Sequence, residues 1–229
     1  MSEKNKYHHG DLRNALINEG IKMINAGGEE ALSLRKLAEK CGVSMAAPYA
    51  HFKSKEDLVN SIKEYVTDSF TRYLENAVAA AGKLEECGKT VKLSDERDAA
   101  QLSDVDKLSD VERKILALGN AYVSFFMKNP EYFTFLFSRG YIHLNLDYNA
   151  GKGNERDNVE DGNNFKPFNI LKDLCTEYFN QKKPGLSDYE KELEIIRIWA
   201  SVQGLTSIVF MENVKWSRDW EKEISNLLK

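Results

Sequence analysis

The chain has 229 residues, 42% hydrophobic and 30% charged, with a net charge of −4 at neutral pH. That composition is ordinary for a soluble globular protein and leaves room for one large domain, or a small one joined to a medium one. No run of eighteen apolar residues occurs, which argues against a membrane span, and the polar start MSEKNKYHHGDLRN lacks the apolar segment of a secretory signal. Three widely spaced cysteines, Cys41, Cys87 and Cys175, form neither a metal-ligand pattern nor a disulfide framework, so a cytoplasmic location is expected.

The charge is uneven. Residues 1–58 hold nine Lys/Arg against eight Asp/Glu, and the remainder holds 23 against 28. The N-terminal part is thus not strongly basic, and any nucleic-acid reading must rest on where its cations sit.

In chain order the pattern is helical throughout, and no segment prefers strict alternation, so the fold class is all-α. A first helix is expected from about Asp11 to Ala26, with Leu12, Ala15, Leu16, Ile17, Ile21, Met23 and Ile24 at helical spacing and Gly27-Gly28 as the stop. Ser33 caps a short helix carrying Leu34, Leu37 and Ala38. Cys41-Gly42-Val43 makes a tight turn, and Ser44 caps a second short helix to about Ala50. Ser54-Lys55-Glu56-Asp57 has the form of a capping box and opens a long helix to about Ala81. Residues 82–108, with twelve charges in 27 positions and no aromatic, read as a mobile linker or an extended helix end.

A capping box at Ser109–Glu112 opens a helix through Met127, and Asn129-Pro130 starts another. Residues 145–164, rich in Asn, Gly and Asp, read as a flexible loop. A helix near Phe165–Gln181 ends at Lys183-Pro184-Gly185. Ser187 caps the longest C-terminal helix, to about Glu212, and a final helix starts at Ser217. The domain division expected is 1–55 and 56–229.

Two short helices joined by a glycine turn behind a longer helix is the helix-turn-helix plan. The second short segment is small-sided at Ala46, Ala47 and Ala50, which lets a backbone approach the major groove closely. Tyr49 and His51 at its end offer donors to phosphates. Lys55, in the first turn of the next helix, adds a charge beside amide donors, and Ser33 offers the same kind of contact. Taken singly, Tyr49 also suits a core and Lys55 a solvated surface; the spaced set is what points to DNA. His8-His9 has no third ligand at metal spacing and reads as a polar lead-in.

The segment LRKLAEKCGVSMAAPYAHFKSKEDLV (34–59) resembles the DNA-binding signature of the TetR family of repressors in its glycine turn, its Tyr49-x-His51-Phe52 run and Ser54-Lys55 followed by an acidic residue. The resemblance extends over about residues 9–62. It implies a homodimer on a pseudo-palindromic operator, with Tyr49, His51 and Lys55 on phosphates and Met45, Ala46 and Ala47 facing base edges. Pro48 stands where the family often has leucine. The base-facing residues are almost without hydrogen-bonding groups, so specificity is expected from thymine methyls, Ser44 and DNA shape.

Eight of the 24 aromatics fall within residues 122–141. Such density suits the wall of an apolar cavity, and an aromatic-rich core is the other reading. Trp199 and Gln203 stand one turn apart in an apolar run, where a buried glutamine needs a partner: a ligand, a water or a second subunit. The candidate effector pocket is Tyr122, Phe125, Phe126, Tyr132, Phe133, Phe137, Trp199 and Gln203. Its few polar groups favour a small, mostly apolar effector. Residues 117–137 with IWASVQGL (198–205) also resemble the TetR C-terminal subclass named for a Trp-His-Gly signature, with Gln203 in place of the histidine. The resemblance implies that the last two helices, with Trp216, Trp220, Ile224, Leu227 and Leu228, form a four-helix dimer interface.

The function expected is a transcriptional repressor released from DNA by its effector, with no cofactor and no metal. A DNA-bound adaptor that binds a protein partner, or a ligand-dependent activator, are the alternatives. An enzyme is disfavoured because no G-x-S-x-G, metal-ligand spacing or glycine-rich phosphate loop is present.

Overall fold

The computed structural model describes residues 9–88, 108–138, 141–142, 144, 146, 148 and 165–228. Among these residues the chain forms eight α-helices and two short 3-10 turns, and no strand. The helices are α1 (His9–Gly27), α2 (Leu34–Lys40), α3 (Lys55–Gly88), α4 (Asp110–Lys128), α5 (Pro130–Ser138), α6 (Lys166–Lys182), α7 (Asp188–Val209) and α8 (Trp220–Leu227), with 3-10 turns at Glu29–Ala31 and Pro48–Ala50.

Two compact units divide the chain, residues 1–68 with 129–142, and residues 69–128 with 143–229. In the first, α1 turns Leu16, Ile17, Ile21 and Ile24 fully inward, and Leu37, Ala38, Leu58 and Ile62 meet them from α2 and α3. Gly20 lies where α3 passes close: a Cβ there would stand 2.8 Å from Ile62 Cδ1. Helix α5 packs along α1, where Asn25 Nδ2 donates to the Glu131 carbonyl (2.9 Å) and the Tyr132 hydroxyl donates to Asn18 Oδ1 (3.2 Å). The Tyr141 hydroxyl donates to Glu29 Oε1 (2.5 Å), and the Lys63 ammonium lies 4.4 Å from the Tyr141 ring centre.

In the second unit α4 is the hub, packed against α6, α7 and α8. Ser187 makes a full capping box at the head of α7: its hydroxyl accepts from the Glu190 amide and the Glu190 carboxylate accepts from the Ser187 amide. That helix ends at Val209, three residues before the expected Glu212. Thr206 and Ser207 turn their hydroxyls back onto the carbonyls of Val202 and Gln203, and the Phe210 and Met211 amides close three-residue turns. Helix α8 starts at Trp220 and not at Ser217, because the Asp219 carbonyl accepts the first helical bonds, from Lys222 and Glu223.

Helix α3 runs on to Gly88, so the opening of the charged stretch is helical, as one of its two readings had it; positions 89–107 lie outside the described residues. The expected loop at 145–164 is likewise outside them, apart from Leu146 and Tyr148. Tyr148 is buried, its amide donates to Glu192 Oε1 (2.8 Å), and Lys191 lies 4.9 Å from its ring centre.

Candidate nucleic-acid interface and the aromatic core

The reading head is built from three local devices. Ser33, in extended backbone at the N-cap of α2, accepts from the Lys36 amide (3.1 Å), so its hydroxyl oxygen already serves the helix. At the other end of α2 the Val43 amide donates to the Ala38 carbonyl and the Gly42 amide to the Glu39 carbonyl, which is the pattern of a Schellman motif. Its left-handed residue is Gly42, at φ +66°. This turn sets the direction of the segment that follows.

That segment corrects the sequence reading. In place of an α-helix from Ser44 to Ala50 there is a turn followed by the 3-10 turn Pro48–Ala50. Pro48 explains it. A helix started at Ser44 would take its first internal bond from the amide of residue 48, and proline has none. The chain winds instead with three-residue bonds from Ala47 to Ser44, Tyr49 to Ala46, Ala50 to Ala47 and His51 to Pro48. Pro48 and Phe52 are buried beneath, with the Arg13 guanidinium 5.5 Å from the Phe52 ring centre. Phe52 therefore serves packing.

The outward face carries Ser44, Met45, Ala46 and Tyr49; Met45 and Tyr49, 49% and 59% exposed, are among the most exposed large apolar side chains described. Ala47, His51 and Lys55 are half-buried at its margin. Tyr49 is accordingly surface, not core. At the head of α3 Ser54 Oγ accepts from the Asp57 amide (3.1 Å), and Asp57 Oδ2 accepts from the Lys53 amide (2.7 Å), one residue before the bond of a strict capping box. Glu56 lies fully in solvent, with its carboxyl held below its usual range first by its own amide and then by Ser54. A phosphate at this helix end competes with Glu56 for the same amide, while Lys55 beside it supplies the cation.

The eight candidate pocket residues divide between the two units. Tyr132, Phe133 and Phe137 stand on α5 in the first; Tyr132 stacks edge-on to Tyr65, and Phe133 lies 5.1 Å from Phe137. Tyr122, Phe125, Phe126, Trp199 and Gln203 gather in the second. There Phe70 of α3, which is not among the eight candidates, is the centre: Tyr122, Phe125 and Phe126 lie 5.1, 4.9 and 4.6 Å from it. Trp199 stacks edge-on to Tyr122 (5.4 Å) and Phe168 (5.2 Å). Gln203 has its partner within the chain, since the Tyr122 hydroxyl donates to Gln203 Oε1. Burial pushes the Tyr122 hydroxyl well above its ordinary pKa, so it stays a neutral donor.

The rings fill most of the space between them. A small space of about 20 Å³ remains beside Tyr122 and Trp199, bounded also by Leu74, Leu118, Pro167 and Leu171. A much larger open groove of about 670 Å³ runs over α4, α6, α7 and α8. Sequence reasoning missed both the groove and the residues preceding Tyr122 on α4, although Ile115 and Leu118 fall on its helical stripe at seven and four residues' distance. Among the described residues no group of three His, Cys, Asp or Glu is placed to hold a metal ion, and no helix is long and apolar enough to cross a membrane.

Residues 16–62 match the family described as bacterial regulatory proteins, tetR family. The tetracycline repressor protein class C of Escherichia coli is 40% identical over 52 residues, 23% of this chain and 24% of that repressor. The chain thus matches about a quarter of the length of that relative. Over nearly the whole chain the fold is that of two solved regulators. The fatty acid degradation regulator FadR from Bacillus halodurans is 16% identical, with a TM-score of 0.56 over 98% of this chain and 96% of its own. FadR from Bacillus subtilis, solved in complex with stearoyl-CoA, is 17% identical, with a TM-score of 0.53 over 94% and 95%.

Proposed function

The DNA-binding head of this chain belongs to the TetR family of bacterial regulatory proteins, and on that premise we propose that the chain is a ligand-responsive transcriptional repressor acting as a homodimer in the cytoplasm. The observation that carries the reading is the exposed patch of Ser44, Met45, Ala46 and Tyr49, held out by the Gly42 turn and flanked by His51 and Lys55. Tyr49, His51, Lys55 and Ser33 contact phosphates and set register. Met45, Ala46 and Ala47 meet base edges through apolar contact, and Ser44 is the one hydrogen-bonding group among them. The 3-10 winding at Pro48 aims these side chains.

Dimerisation through α7 and α8 supplies the second head. The exposed Ile208, Met211, Val214 and Leu227 around the ends of these helices are an apolar set in want of cover. Two-fold symmetry then demands a pseudo-palindromic operator with half-sites roughly 34–36 Å apart. The unit holding the aromatic core takes a small, mostly apolar effector; that FadR from Bacillus subtilis was solved in complex with stearoyl-CoA supports a ligand-binding use of this fold, though not the size or polarity of the ligand. Effector binding favours a conformer whose heads no longer match the groove spacing, and a coupling of about 1–3 kcal/mol suffices for a useful switch.

The test is selection of bound fragments from a random DNA pool at two salt concentrations, with the particle sized in parallel. One pseudo-palindrome, bound by a dimer with steep salt dependence, is expected. No enrichment at either salt would remove the reading.

A further inference from the structure

Resting on the DNA-reading proposal above, we propose that Met45, with Ala46 beside it, reads the C5 methyl group of a pyrimidine in the major groove, so that the head accepts 5-methylcytosine in place of thymine and rejects cytosine and uracil. Met45 and Ala46 are the two central residues of a turn closed by the Ala47 amide on the Ser44 carbonyl (3.0 Å). Both are exposed, Met45 by 49%. The turn is fixed at each end. Gly42, at φ +66°, directs the chain into it, and buried Pro48 anchors the chain that leaves it.

The charge on either side of this apolar crest names its partner. Arg35 and Lys36 precede it on α2 and are exposed; Lys53, exposed, and Lys55, half-buried, follow it at the head of α3. The exposed carboxylates of the same segments are Glu39 and Glu56. Four cations against two anions, with an apolar crest between them, suit a polyanion that carries methyl groups on its inner edges. The major groove of DNA is such a surface, and its methyl groups are those of pyrimidines.

The side chains decide which feature is read. Thymine presents an acceptor at position 4 and a methyl at C5, whereas cytosine presents a donor at position 4 and no methyl. In 5-methylcytosine the donor and the methyl occur together. An alanine methyl has no hydrogen-bonding group, and a thioether is only a weak acceptor. Met45 and Ala46 are therefore nearly blind to position 4, while the methyl is surface that they bury. The unbranched, adaptable methionine keeps that contact through small differences in approach. Burial of one methyl changes affinity about fourfold, or about fifteenfold where a two-fold dimer buries one in each half-site. Ser44 and Tyr49 carry hydroxyls and fall outside this rule.

The experiment uses the full chain and the operator enriched from the random pool. Each thymine is replaced in turn by uracil, which removes the methyl and leaves the hydrogen-bonding edge intact. At one or more positions of each half-site uracil should weaken binding about fourfold. At those positions a 5-methylcytosine·guanine pair should bind within about twofold of thymine·adenine, and about fourfold more tightly than unmodified cytosine·guanine. Met45 is exposed, so its substitution leaves the packing of the head in place. In Met45→Ala the preference for thymine over uracil should vanish at the position it faces. In Met45→Gln thymine and 5-methylcytosine should separate, because an amide both donates and accepts. Uracil without effect at every thymine, methylated cytosine bound no more tightly than cytosine, or a preference for thymine over uracil unchanged in Met45→Ala would each overturn the proposal. An operator that is enriched but indifferent to uracil removes the methyl reading alone; failure to enrich any operator removes the DNA-reading proposal and this one with it.

Discussion

Replacing Tyr122 by phenylalanine removes one oxygen from the centre of the second unit and nothing else. The ring keeps its neighbours Phe70, Phe126 and Trp199 at 5.1, 5.2 and 5.4 Å. What is lost is the bond from its buried hydroxyl to Gln203 Oε1. A neutral hydrogen bond contributes about 0.5–1.5 kcal/mol net, and a partner left unsatisfied costs up to about 3 kcal/mol when fully buried. Gln203 is half-buried and regains some water, so Tyr122→Phe should destabilise by about 1 kcal/mol. Gln203→Leu strands a hydroxyl on a tyrosine that is 3% exposed and should cost about 1–3 kcal/mol.

The double variant removes both partners and should cost about 1 kcal/mol less than the sum of the single changes. Urea unfolding at one fixed protein concentration, followed by tryptophan fluorescence, measures all four corners of the cycle. A coupling indistinguishable from zero would refute the assignment of Tyr122 as the partner that allows Gln203 to sit in an apolar run. Alkaline pH gives a second check. The folded pKa of Tyr122 is raised above that of the unfolded chain, so its contribution is whole below the ordinary tyrosine value of about 10 and is lost as pH rises through the folded value. Wild type should therefore lose stability above that pH faster than Tyr122→Phe.

Other outcomes are equally definite. Lys55→Ala should weaken binding to all DNA sequences alike and lower the salt slope by about 1, whereas Met45→Ala should change sequence preference; identical behaviour in a binding selection would undo the sorting of phosphate from base contacts. Gly42→Ala forces a Cβ into the left-handed region and should cost about 1–2 kcal/mol in thermal unfolding, with DNA affinity reduced because the reading segment is re-aimed. Phe70→Ala, at the centre of the ring cluster, should destabilise by about 3–5 kcal/mol by urea titration. Burial, and then Glu194, pushes the Cys175 thiol up to about 12, so in a Cys87→Ser chain a thiol reagent at neutral pH should modify half-exposed Cys41 and spare Cys175 until the chain unfolds. Two thiols reacting at equal rates would contradict that burial.

Most of the helical frame was legible because its signals are local. Gly27-Gly28 ends α1, Asn129-Pro130 starts α5, Lys183-Pro184 ends α6, and the Ser187–Glu190 box opens α7, each by bonds spanning a few residues. Where a local signal was weighed wrongly, the sequence still contained the reason. Pro48 removes the amide that an α-helix from Ser44 would need, and the hydroxyls of Thr206 and Ser207 loosen the end of α7.

The spaced set from Ser33 to Lys55 lies inside the stretch 16–62 that matches the tetR family, and it was legible because its residues fall within one short segment. The aromatic region was different. Its composition announced an apolar centre but did not show that Phe70, Phe165 and Phe168 from other helices would converge on it, that Tyr132, Phe133 and Phe137 would belong to another unit, or that Tyr122 would answer Gln203. Those are contacts between positions tens of residues apart, set by how helices pack and not by any period along one of them. Whether a cluster of rings encloses a pocket or fills it depends on the last ångström of that packing. Here only the tertiary structure decided that the rings fill most of the space between them and that the larger volume lies over α4, α6, α7 and α8.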